Sequence, residues 1–205
     1  TSGRGRNGHF WDSDSFDNIY FSICFKNFPQ NMLMPLNIAL GYAVCDTLRD
    51  YLDCGLKWPN DILVRGKKIG GILIETLFVG NTLHKTVAGI GVNLNTENFS
   101  PTLRDTATSV SIEKGLKLEK EVFLASLVDN IDSKVKLLLN GNLDIKDAWP
   151  NYSFYLGKRL TVTVDKKKEF FIERGINGQG GLIVEGMCGI RREIYTGEVG
   201  YDFCC

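Results

Sequence analysis

The chain has 205 residues, 43% of them apolar and 23% charged, with 24 Lys and Arg set against 24 Asp and Glu. That length removes roughly 70% of the unfolded surface from water, enough for one good-sized core or a core with a small appendage, and argues against disorder. Zero net charge offers no global field to gather polyanions, and no apolar run approaches the eighteen or so residues that cross a bilayer.

The first residues show no apolar signal core, so a cytoplasmic protein that does not enter membranes is expected. Cys24, Cys45, Cys54, Cys188, Cys204 and Cys205 form no C-x-x-C, and only His9 and His84 could join them. Neither a disulfide scaffold nor a protein-held transition metal is expected.

In chain order, Gly3-Arg4-Gly5-Arg6-Asn7-Gly8-His9-Phe10-Trp11 comes first. Its glycines let the backbone bend closely around a guest, and its guanidinium groups hold phosphate or carboxylate in bidentate fashion. A flexible Gly/Arg terminus is the equal alternative at this point. Ile19, Phe21, Ile23 and Phe25 alternate as a half-buried strand does. From Pro35 onward, Leu36, Leu40, Ala43, Val44, Leu48 and Tyr51 mark an amphipathic helix ending near Gly55.

Residues 56–95 read as a meander of short strands at 56–58, 62–64, 69–77 and 86–94. The first turn lies in Lys57-Trp58-Pro59-Asn60-Asp61, where turn chemistry explains Pro, Asn and Asp but not Lys57-Trp58. Next, Lys67-Lys68-Ile69-Gly70-Gly71-Ile72-Leu73-Ile74-Glu75 places paired glycines inside a strand. That pattern marks either a ligand lying on the backbone or a bulge. In Gly89-Ile90-Gly91-Val92-Asn93-Leu94-Asn95 the apolar side chains share one face, and the glycines and asparagines share the other. Buried amides need partners, so Asn93 and Asn95 point to a purine edge, a phosphate or its metal, or else to a solvent-facing strand end.

A second helix is expected from about Glu119 to Leu139, with Leu124, Leu127, Val128, Ile131, Val135 and Leu138 on its apolar stripe. After Trp149-Pro150 the period returns to two, with glycines punctuating short segments. The expected fold is therefore α+β: a mixed β-sheet flanked by helices, followed by a small C-terminal β-barrel. The boundary falls near Asn151, giving domains 1–150 and 151–205.

GRGRNGHFW, KWPNDI, KKIGGILIE and GIGVNLN, in this order and spacing, resemble the biotin protein ligase family. GKRLTV, GINGQGGLIVE and YTGEVG resemble that family's small Src-homology-like C-terminal domain. The likeness implies a two-step reaction using biotin, ATP and Mg²⁺. Biotin is activated to biotinyl-5′-AMP and then passed to a lysine of a biotin carboxyl carrier protein domain of a biotin-dependent carboxylase. It assigns catalysis to Lys68 and Arg6, and contact with biotin or the adenylate to Arg4, Gly5, Arg6, Trp11, Lys68, Gly71, Asn93 and Asn95. Lys57, Asn60 and Asp61 fall near the phosphates or Mg-ATP, with no metal held by protein alone.

Against the family pattern, the chain opens inside the first motif, so the preceding strand and a Ser/Thr-Thr-Asn biotin contact are expected to be missing. His9 stands where the family often has arginine. No helix-turn-helix precedes the motif, which leaves a repressor role unsupported. A homodimer is left open, and no membrane partner is implied. The rival readings are a lipoate or octanoate ligase of similar fold and a non-catalytic nucleic-acid or adaptor module. The KWPND and GIGVNLN pair favours biotin over lipoate, and the charge balance disfavours nucleic acid.

Overall fold

Residues 3–5, 10–11, 17–164 and 167–200 are described by a computed structural model, and they build two five-stranded antiparallel sheets joined through a helical layer. Near the start, β1 (Gly3–Arg4) pairs with β2 (Phe10–Trp11), placing Gly3 opposite Trp11. The first large sheet contains β3 (Ile19–Lys26), β4 (Gly55–Lys57), β5 (Asp61–Val64), β6 (Lys67–Val79) and β7 (Thr82–Val92), in the order β3-β7-β6-β5-β4. Every ladder in it is antiparallel, which corrects the expected mixed sheet. The physical reason is connection length: β4 to β7 are joined by tight turns, and a parallel neighbour would need a crossover of a dozen or more residues.

Helix α1 (Leu33–Arg49) is buried at every residue from Pro35 to Cys45, because it packs on β4, β5 and β6 on one side and on a second long helix on the other. It begins two residues before Pro35, which is tolerated because first-turn N–H groups have no intrahelical partner. Gly41 permits the closest approach to the sheet, since a Cβ there would stand 2.8 Å from Leu56 Cδ2.

Helix α2 (Val110–Lys114) is capped by Ser109 and ends on Gly115 at φ +70. The second long helix, α3 (Lys120–Leu139), buries Phe123, Leu127, Ile131, Val135 and Leu138. The stripe is rotated from the expected one, leaving Val128 45% exposed, because Phe123 offers the larger apolar surface to bury.

Short α4 (Ile145–Ala148) runs into a single 3-10 turn, Trp149–Asn151. The second sheet then comprises β8 (Arg159–Val164), β9 (Lys167–Ile176), β10 (Leu182–Glu185), β11 (Arg191–Ile194) and β12 (Glu198–Gly200), in the order β11-β10-β9-β8-β12.

The expected small barrel is not closed: among the described residues no ladder joins β11 to β12. These strands have only 4 and 3 residues, too little length for the stagger that closure requires. The inner face is covered instead by the rest of the chain. Leu160, Val162, Leu182 and Val184 share one apolar cluster with Trp149, α1 and the first sheet. That cluster runs straight across the 3-10 turn where the boundary was expected.

Candidate active site

One row of residues crosses all five strands of the first sheet. Lys57 faces Asp61, Asp61 faces Gly71, Gly71 faces Gly91, and Gly91 faces Tyr20. Directly opposed residues project to the same side, so this row presents two charged groups, two bare stretches of backbone and an aromatic ring on the face away from α1.

Lys68 joins the row through a β-bulge. The β5–β6 register steps from Ile62 with Gly70 to Leu63 with Lys68, leaving Ile69 as the extra residue. The bulge reverses the alternation, so that Lys68 and Gly71, three residues apart, lie on one side while Ile69 is fully buried. The Ile69 carbonyl accepts the Asn93 N–H at 2.8 Å, which ties the bulge to the end of β7. Lys68 Nζ then reaches Asp61 Oδ1 at 2.5 Å and stands 5.0 Å from the centre of the Trp11 ring.

The Trp11 ring covers the glycines. A Cβ on Gly71 would stand 2.9 Å from Trp11 Cζ3 and 3.1 Å from Lys68 Cε, and one on Gly91 would stand 3.0 Å from the same indole. Tyr20 meets Trp11 edge-on at 6.5 Å. The indole Nε1–H is buried without a hydrogen-bond partner among the described residues. Such an orphaned donor is rare in a folded chain and calls for an explanation.

Beside this row lies a cavity of about 430 Å³ lined by Trp11, Lys57, Asp61, Lys68 and Asn93 from the anticipated set. Phe99, Leu103, Asp105, Thr106 and Tyr155 also line it, and sequence reasoning did not single them out. The available signal was negative: seventeen residues, 93–109, between β7 and α2 without hydrophobic period, a length that compact domains keep mostly for functional loops. That loop is stitched to the lysine strand. Lys68 N–H donates to Thr106 O at 2.8 Å, Thr108 N–H donates to Lys68 O at 2.9 Å, and Lys67 Nζ donates to Arg104 O at 3.0 Å.

Burial lowers the affinity of Lys57 for its proton below that of an ordinary lysine; Asp61 opposes the shift and the Lys68 charge reinforces it. Three other anticipated residues serve the scaffold. Asn60 donates from its side chain to Ile72 O at 2.8 Å, fixing the turn before β5. Asn95 grips Leu118 twice, donating to its carbonyl at 2.8 Å and accepting its N–H at 2.9 Å. Asn93 donates to Thr108 O at 3.1 Å while still lining the cavity. The asparagine partners expected from a ligand are therefore supplied, in this geometry, by the chain itself. Arg4 is placed on β1 and Gly5 follows it, whereas Arg6 and His9 lie outside the described residues.

The biotin/lipoate A/B protein ligase family model matches residues 1–93. The biotin–[acetyl-CoA-carboxylase] ligase of Paracoccus denitrificans is 30% identical over 211 residues, covering 97% of this chain and 85% of that protein. The chain belongs to the biotin protein ligase family. The bifunctional ligase/repressor BirA of Bacillus spizizenii is 27% identical over 97% of this chain, which spans 63% of that relative's length. Among solved structures, the biotin protein ligase from Aquifex aeolicus in complex with biotin and ATP superposes with a TM-score of 0.83 at 26% identity, covering 97% of this chain and 83% of that one.

In this biotin protein ligase family fold the site is built on the first sheet, with the 96–108 loop along one side of the cavity. Its residues do not form a metal cage: among those described, no group of three or more His, Cys, Asp or Glu is placed to hold an ion, and Asp61 is engaged by Lys68. No helix among the described residues is long and apolar enough to cross a membrane.

Proposed function

We propose that this chain activates biotin with ATP and passes it to a lysine of a carrier domain. The observation that carries the reading is the cross-strand row itself, with Lys68 held by Asp61 over two bare glycines beneath Trp11. The bare backbone lets Trp11 and Lys68 pack down onto the sheet, the cavity beside them offers room for a bicyclic guest, and a fixed ammonium at its edge can receive a carboxylate.

In the first step a biotin carboxylate oxygen bonds to the α-phosphorus of ATP, and the bond to pyrophosphate breaks. Both reactants are anions, so the barrier is dominated by their repulsion. Lys68, acting as a cation and not as a covalent nucleophile, stabilises the charge gathering between carboxylate and α-phosphate. Arg4, Gly5 and Arg6 fold over the adenylate in this reading, Trp11 covers it, and Gly71 leaves space for biotin. Asn93 faces the adenylate from the end of β7, and Lys57 and Asp61 orient the phosphates. Mg²⁺ arrives with ATP on the phosphate oxygens, consistent with an ion that keeps most of its ligands from water and substrate.

In the second step the ε-amine of a lysine on a biotin carboxyl carrier protein domain attacks the acyl carbon, and AMP leaves. A cytoplasmic setting belongs to the same reading, supported by the free thiols of Cys24, Cys45, Cys54 and Cys188.

Incubation with biotin or with lipoate, each with Mg-ATP, tests the first step. Pyrophosphate release with biotin is the expected outcome, and release with lipoate alone would move the chain to the rival acyl class.

A further inference from the structure

We propose that Glu173, in the second sheet and outside the cavity, is a positioning residue for the reaction. This rests on the function proposed above. Glu173 is on β9 and fully buried, a setting a carboxyl group occupies only when its oxygens are satisfied. Its Oε1 accepts two hydrogen bonds from the connecting segment, one from Trp149 Nε1 at 3.0 Å and one from Ser153 Oγ at 2.5 Å.

Ser153 passes this anchor to the cavity along two routes. Its hydroxyl oxygen, with the proton committed to Glu173, accepts the N–H of Tyr155 at 3.2 Å, and Tyr155 lines the cavity. Its backbone lies in a parallel bridge with Leu56, where Leu56 N–H donates to Tyr152 O at 2.7 Å and Phe154 N–H donates to Leu56 O at 2.9 Å. Leu56 immediately precedes Lys57. On the other side of Lys57, Trp58 Nε1 donates to Gly180 O at 2.9 Å, in the turn between β9 and β10. The connecting segment and the β9–β10 turn of the second sheet thus hold Lys57 from its two sides, and Glu173 anchors the first of these grips.

Trp149 and Ser153 separate the two consequences of losing the carboxylate. The Trp149 indole is fully buried in the shared apolar cluster and does not line the cavity, so its bond to Glu173 contributes to stability, and Trp149→Phe leaves the backbone bonds from Tyr152 and Ser153 to the Trp149 carbonyl in place. Ser153 links the Glu173 carboxylate to the Tyr155 N–H and to the bridge with Leu56.

The experiment compares Glu173→Ala, Glu173→Gln, Ser153→Ala and Trp149→Phe in the folded fraction, by biotin-dependent adenylate formation and by backbone amide exchange at Leu56, Phe154 and Tyr155. Glu173→Ala and Ser153→Ala should lower kcat/KM for ATP on the order of 10- to 100-fold, as small misplacements of a site do, and should speed exchange at those three amides. Glu173→Gln keeps an oxygen that accepts both bonds, and should recover most of the parental rate and protection. Trp149→Phe should lower Tm and leave kcat/KM within about twofold of the parent. Parental kinetics in folded Ser153→Ala, or an equal loss in Trp149→Phe, would overturn the proposal. If Glu173→Ala does not fold, Ser153→Ala against Trp149→Phe decides it. A parent without adenylate formation would count against the proposed function, while unchanged amide exchange in Ser153→Ala would count against Glu173 alone.

Discussion

At the scale of single residues, charge and space in the site pull against stability. If the proposed function holds, Lys68→Ala removes the ammonium that meets the reacting anions and should slow biotinyl-5′-AMP formation on the order of a hundred- to thousandfold. An ammonium about a third exposed adds little to folding, so circular dichroism should remain that of the parent. Gly71→Val drives a branched side chain into Trp11 and Lys68, where a Cβ already meets carbons at 2.9 and 3.1 Å. Biotin affinity measured by calorimetry should fall by roughly ten- to hundredfold, matching about 1 to 3 kcal/mol of overpacking. Lys57 is held below the ordinary lysine value by burial, so its charged form opposes folding. That cost is present at neutral pH and disappears as pH rises toward the unfolded value. Lys57→Met should therefore raise Tm at pH 7, with the advantage shrinking toward pH 10.5, while adenylate formation falls. A Met variant less stable than the parent at neutral pH would refute this.

At the scale of elements, what was legible followed period. Strand β3, helix α1, the meander and helix α3 stand where alternation or three- and four-residue steps place them. Less visible was anything depending on a partner element. The choice of Phe123 over Val128 in α3 was set by what α1 presents, and Trp58 proved to be a core residue bonded to Gly180, 122 positions later. Gly70-Gly71 in a strand left two readings open, ligand contact or bulge, and the fold joins them: the bulge is what brings Lys68 over Gly71. The asparagines were legible as buried amides but not as to partner, because loop carbonyls satisfy them as well as a nucleotide does. Asn95→Ala should consequently lower stability by about 1 to 3 kcal/mol through the two lost bonds to Leu118, seen in denaturant melts, with near-parental kcat in the folded fraction. A large kcat loss without destabilisation would return Asn95 to the ligand.

At the scale of the whole molecule, two sheets share one apolar cluster, and the second supports the lysine-bearing edge of the first. The fold thereby places Lys57, Lys68 and a stretch of bare backbone on one face of a sheet braced from behind, the arrangement that the proposed joining of two anions requires. The unpatterned loop after β7 completes the cavity and is tied to Lys68 by its backbone. The most direct measurement incubates the protein with radiolabelled biotin, Mg-ATP and a biotin carboxyl carrier domain, alongside Lys68→Ala. The account predicts label on the carrier lysine with the parent and a rate lower by two to three orders of magnitude with the variant. Equal labelling by both proteins would contradict it.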